Sequence, residues 1–137
     1  MATALNPYLH FDGTARDAME FYQSVFGGQL DTSRYGDFGQ GSPDEADRIM
    51  HSHLATDGGF SFMAADVPSG QDAPSGSQHS MSLSGDDDEA LRGYFEKLSD
   101  GGTVIEPLAQ APWGDWFGML VDKFGIPWMV NIAGNAA

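Results

Sequence analysis

The feature that most constrains this chain is that it repeats itself. The segment Asp57–Ala64 (DGGFSFMA) lies on Lys123–Val130 (KFGIPWMV) without a gap. Gly59 then falls on Gly125, Phe62 on Trp128 and Met63 on Met129, and further back Leu54 falls on Leu120. Two apolar stripes at three-to-four spacing repeat as well. One covers Thr14–Phe26 (Ala15, Ala18, Met19, Tyr22, Val25, Phe26) and the other Asp87–Ser99 (Leu91, Tyr94, Phe95, Leu98), each predicting a helix. Both contain an aromatic pair, Phe21-Tyr22 and Tyr94-Phe95, and both stop at Gly-Gly. Thr14 with Asp17 reads as a capping box. The acidic run Asp86–Glu89 suits a helix N-terminus, where the dipole favours negative charge.

Between the helices the pattern is that of short strands: Leu5–Phe11, Gln29–Tyr35, Ile49–Thr56, Phe60–Ala65, His79–Ser84, Thr103–Pro107, Trp116–Asp122 and Pro127–Ile132. The order is therefore βαβββ twice, an α+β chain of two tandem modules. The expected bounds are 4–66 and 79–132 with a linker at 67–78, all within a single 137-residue domain. A helix covers only one face of such a sheet, so two curved mixed sheets are expected to enclose a cleft. The polar stretch Gly36–Arg48, nearly free of aliphatics, reads as a surface flap, and Pro107–Asp115 as a loop.

Composition narrows the partners. Six Lys+Arg against twenty Asp+Glu give a formal charge of −14, which repels nucleic acid and anionic membrane. With no cysteine there is no thiol nucleophile, zinc–thiolate site or disulfide. The start MATALNPYLHF lacks the basic-then-apolar pattern of a signal peptide, so a cytoplasmic location is expected. No G-x-S-x-G elbow or P-loop is present, and no glycine-rich βα turn that would serve adenosylmethionine. Methyl transfer is not expected.

The segments NPYLHFDGTARDAMEFYQSVFGG, RIMHSHLATDGGFSFMAADVP and GMLVDKFGIPWMVNI resemble the vicinal oxygen chelate superfamily, which spans glyoxalases, bleomycin-resistance proteins and dioxygenases, and within it the PhnB-like branch. The resemblance implies the glyoxalase/bleomycin-resistance fold and a homodimer, and in the superfamily's enzymes a divalent metal held by His and Glu at four positions. Carried onto this chain, those positions fall near Asn6, Met63, Ser80 and Met129. Amide, thioether and hydroxyl do not make a hard-metal site, so no cofactor is expected.

Strand alternation assigns the faces. Leu5, Leu9 and Phe11 belong under the first helix, with Asn6, Tyr8 and His10 opposite; Met81 and Leu83 point inward, with Ser80, Ser82 and Ser84 opposite. The candidate ligand-lining set is Tyr8, His10, His51, His53, Met63, Ser80, Phe117, Met119, Met129 and Asn131. Methionines beside aromatics make a deformable apolar surface with a few polar groups, which suits a small organic molecule. The sequence leaves two alternatives open. One is an enzyme of lyase or dioxygenase type whose His10, His51 and His53 form a rearranged metal or acid/base site. The other is a protein that sequesters a cationic drug-like compound. His79 reads as a partly buried structural residue, Asp115 and Asp122 as turn caps rather than an acid/base pair, and Trp113 and Trp116 as packing or lid residues.

Overall fold

The computed structural model describes residues 5–39, 46–67 and 79–134. The chain divides into two compact units, Met1–Ser75 and Gly76–Ala137. In the first unit, β1 (Tyr8–Phe11), α1 (Ala15–Phe26), β2 (Gln29–Arg34), β3 (Ile49–Ala55) and β4 (Ser61–Asp66) form a helix and a four-stranded sheet of order β1-β4-β3-β2. In the second, β5 (Met81–Gly85), α2 (Asp88–Ser99), β6 (Thr103–Gln110), β7 (Trp116–Val121) and β8 (Pro127–Ile132) repeat that plan as β5-β8-β7-β6. In each sheet the first and last strands pair parallel and the others antiparallel. The expected α+β architecture of two βαβββ modules is what the chain adopts.

The repeat holds at the level of single hydrogen bonds. Thr56 N–H donates to the Phe60 carbonyl at 3.0 Å, and Asp122 N–H to the Ile126 carbonyl at 2.9 Å, closing the same hairpin twice. Gly59 and Gly125 take φ of +92° and +87° in those turns, a region that side chains disfavour. One pair of matched positions differs in chemistry. Thr56 and Phe62 of the first unit correspond to Asp122 and Trp128 of the second, and Trp128 Nε1 donates to the Asp122 carboxylate at 2.8 Å. A buried indole needs an acceptor, and the Thr-to-Asp change supplies it. Asp122 also accepts from Phe124 and Ile126 N–H, so it caps its turn as expected.

Each helix buries the stripe its spacing predicts. Ala15, Ala18, Met19, Tyr22, Val25 and Phe26 of α1 lie against Leu54, Phe62 and Ala64, while Leu91, Phe95 and Leu98 of α2 lie against Leu83, Leu120, Trp128 and Val130. Tyr94 is only half-buried. Asp87 caps α2 by accepting from Ala90 N–H at 3.2 Å.

The start of α1 departs from expectation. Thr14 makes no side-chain cap bond, so the Thr14–Asp17 capping box does not form. The carboxylate of Asp66, at the end of β4, takes its place: Oδ1 accepts from Gly13 N–H at 2.8 Å and Ala15 N–H at 3.0 Å, and Oδ2 from Ile49 N–H at 3.0 Å. Asp66 is 3% exposed, so one buried charge ties together β3, β4 and the entry to α1.

Some strand limits also shift. Leu5 is 99% exposed and precedes β1, and Leu9 is half-buried. Pro107 does not end β6, which continues to Gln110; as an edge strand it can accommodate a residue without an N–H. His79 is exposed, not partly buried. Val67 is buried and donates to the Phe11 carbonyl, so the first unit extends past 66. A 3-10 turn at Tyr35–Phe38 opens the expected flap, with Arg34 pairing to Asp37 and Asp47. The rest of the flap at 40–45 and the linker at 68–78 lie outside the described residues.

Replacing Asp66 by alanine leaves three N–H groups, two of them buried, without their acceptor, and chemical denaturation is expected to show a loss of about 3 kcal/mol. Thr14→Ala, by contrast, is expected to stay within about 0.5 kcal/mol of wild type. Equal losses for the two would show that Thr14, not Asp66, caps α1.

Candidate functional site

Alternation of side chains leaves each sheet with one face under its helix and one open. In the first unit the open face is read across the strands from their register. Tyr8 of β1 stands beside Met63 of β4, Met63 opposite His53 of β3, and His53 opposite Asp31 of β2. The next row brings His10 beside Ala65, with His51 opposite Ser33. Tyr8 is the hub. Its ring centroid lies 5.2 Å from that of His10 and 5.9 Å from that of His51, and its hydroxyl is 3.3 Å from His51 Nδ1. With the hydroxyl donating, His51 keeps its proton on Nε2 and presents an N–H. Tyr8 and His10 are exposed, and His51, His53 and Met63 half-buried.

In the second unit the matching row is Ser82, Met129, Met119 and Glu106, followed by Ser84, Asn131, Phe117 and Ala109. Phe117, Met119, Met129 and Asn131 are all half-buried, and the Ser80 hydroxyl lies 3.3 Å from the Met129 sulfur. Asn131 Nδ2 donates to Asp115 Oδ2 at 3.1 Å, while Gly134 N–H donates to Asp115 Oδ1 at 2.8 Å. The Gly134 N–H, then Asn131 and Trp113, hold the Asp115 carboxyl below the usual carboxylate range.

The sequence candidates thus gather within each unit: Tyr8, His10, His51, His53 and Met63 on one open face, Ser80, Phe117, Met119, Met129 and Asn131 on the other. Spacing did not reveal the carboxylates beside them. Asp31 faces His53, Glu106 faces Met119, and Asp115 fixes Asn131. Asp115 and Asp122 flank the six-residue β7, roughly 20 Å apart, and do not form an acid/base pair. Trp116 packs beneath the Arg92 guanidinium, 4.5 Å from its ring centroid. Trp113 is 71% exposed at the β6–β7 turn.

The positions where the superfamily's enzymes hold a metal do not fit one here. Asn6 Oδ1 accepts from the Ser61 hydroxyl at 3.4 Å beside a thioether, Met63; the second unit offers a hydroxyl and a thioether in contact with each other. Neutral amide, hydroxyl and soft sulfur are poor ligands for a hard divalent ion. Among the described residues no three His, Asp or Glu side chains group as a metal-binding set.

This fold, with two four-stranded mixed sheets each backed by one helix, defines the class. The chain belongs to the Glyoxalase/Bleomycin resistance protein/Dioxygenase superfamily, whose family model matches residues 4–130. Within that class it is a PhnB/YjdN-like protein. It is 30% identical to Protein YjdN of Escherichia coli K12 over 142 residues, covering 93% of this chain and 94% of that one. The crystal structure of protein PA1353 from Pseudomonas aeruginosa is 33% identical with a TM-score of 0.85, covering 96% of this chain and 98% of that chain. A Bacillus cereus structure described as a putative 3-demethylubiquinone-9 3-methyltransferase, PhnB protein, is 28% identical with a TM-score of 0.77, over 96% of this chain and 100% of that one. Among the described residues no helix is long and apolar enough to cross a membrane.

Proposed function

We propose that this protein binds a small organic molecule on its open sheet faces, without a hard metal ion. The observation that carries this reading is the row of half-buried Phe117, Met119 and Met129 beside the hydrogen-bonding groups of Asn131 and Ser80. Thioethers adapt to irregular ligands, and a few fixed polar groups among apolar ones orient them. The methyltransferase wording attached to the Bacillus cereus relative finds no support in this chain. The sequence has no glycine-rich βα turn that would serve adenosylmethionine, and the Gly13 and Ala15 N–H groups at the start of α1 are taken by the Asp66 carboxylate.

One observation favours a second reading, acid/base catalysis on the first unit. Tyr8 and His51 are within hydrogen-bond reach, an arrangement that suits proton transfer to a bound substrate.

Met129→Glu separates a wet, ligand-accessible position from dry core. The variant is expected to fold with a loss of about 1 kcal/mol or less, and to abolish the thermal stabilisation that wild type gains from a neutral bicyclic aromatic such as 2-naphthol. A loss of several kcal/mol would mark the position as dry core and remove the site.

The homodimer belongs to the same reading. Residues 103–114, which cover edge strand β6 and the turn after it, carry one charge, Glu106, in a chain of net charge −14. Val104 and Ile105 there are 42% and 54% exposed. Two such acidic chains repel least along this stretch, and its unpaired edge is available for strand pairing with a second copy. Light scattering is expected to give twice the chain mass for wild type and the single-chain mass for Ile105→Lys. A monomeric wild type would refute the proposal.

A further inference from the structure

Resting on the proposal that the open face of the second unit receives an organic ligand, the geometry points to Asn131 as the residue that decides which ligands are accepted. Its Oδ1 is left as an acceptor while one Nδ2 hydrogen is held by Asp115, so this face favours small apolar or aromatic molecules that carry an N–H or O–H group, cationic ones above all.

An asparagine amide ordinarily offers a ligand either end, because a half-turn exchanges its oxygen and nitrogen. Asp115 removes that freedom. Its Oδ1 accepts the Gly134 N–H at 2.8 Å, and its Oδ2 lies 3.1 Å from Asn131 Nδ2. An ionised carboxylate has no proton to give. Turning the amide over would set the Asn131 oxygen against Asp115 Oδ2 with nothing between them, losing a charge-assisted hydrogen bond and adding repulsion.

Asp115 itself has little room to adjust. Its own carbonyl accepts the Ala111 N–H at 2.7 Å in the β6–β7 turn, and Gly134 lies just beyond β8, so the carboxylate joins two backbone segments. One of the two Asn131 Nδ2 hydrogens is thereby committed, and the amide is fixed in one orientation. Among the described residues, Asn131 Oδ1 accepts no hydrogen bond.

Asn131 sits on the sheet between Phe117 of β7 and Ser84 of β5, two residues along β8 from Met129. An aromatic or apolar body resting on Phe117 and Met129 brings a polar substituent toward it. The charges in the vicinity have one sign. Glu106, opposite Met119, and Asp115 are the ionisable side chains of these rows, whereas the described cations of this unit, Arg92, Lys97 and Lys123, lie on α2 and in the β7–β8 turn. Among the described residues of these rows a carboxylate-bearing ligand finds no counter-ion and meets the like charges of Glu106 and Asp115. An ammonium group or a hydroxyl finds its complement.

The test uses the full chain carrying methyl-labelled methionine and four probes of similar size: benzylammonium, phenol, anisole and benzoate. Titrations followed through the Met119 and Met129 methyl signals are expected to give dissociation constants for phenol and benzylammonium at least about fivefold below that of anisole, with benzoate weakest. In Asp115→Asn the constraint on the amide is gone, and the preference of phenol over anisole is expected to fall below about twofold. Asn131→Leu is expected to bind phenol and anisole alike. If anisole and benzoate match phenol on wild type, Asn131 does not select the ligand although the face still binds one. If none of the four moves either methyl signal, the binding proposal falls together with this inference.

Discussion

A twelve-residue helix is roughly 18 Å long and 10 Å across, enough to cover one face of a four-stranded sheet and no more. Each half of this chain supplies one such helix to one such sheet. Everything of functional interest follows from the face left over. Side chains alternate along every strand, so the residues that do not pack under α1 or α2 form ordered rows on a backbone held rigid by sheet hydrogen bonds. Tyr8, Met63, His53 and Asp31 make one row, and Ser82, Met129, Met119 and Glu106 another. Sites built on strands keep their geometry better than sites on loops.

Buried carboxylates hold the covered faces in register. Asp66 gathers three N–H groups at one end of the first unit, and Asp122 gathers two N–H groups and an indole in the second. These are different solutions at different places, imposed on two otherwise matching modules. Asp115 adds a third anchor, this time beside the candidate site, where it fixes the orientation of Asn131. In each of these three, donors from different residues converge on one carboxylate.

Local pattern carried much of this architecture. The match of Asp57–Ala64 to Lys123–Val130 reappears as two hairpins with the same bonds, and both helical stripes are buried as their spacing requires, Tyr94 only by half. Alternation also set Tyr8 and His10 on the opposite side of β1 from Phe11, which is buried. What escaped was set by distance along the chain. Asp66 reads as no more than the polar end of the first module, because its partners Gly13 and Ala15 lie 53 and 51 residues away. Thr14 and Asp17 have the spacing of a cap, yet a buried charge nearby satisfies the same donors. Pro107 reads as a strand end until its edge position is known, and the bond between Asp115 and Asn131 depends on β7 and β8 being neighbours.

The account rests on one chemical claim, that the open faces are organised around thioethers, aromatics and hydrogen-bonding groups in place of hard-metal ligands. Elemental analysis of protein expressed without a histidine tag and purified without chelating resin tests it most directly. The account predicts nickel, zinc, iron and manganese far below one equivalent per chain. One tightly held equivalent that disappears in His10→Ala or His53→Ala would contradict it.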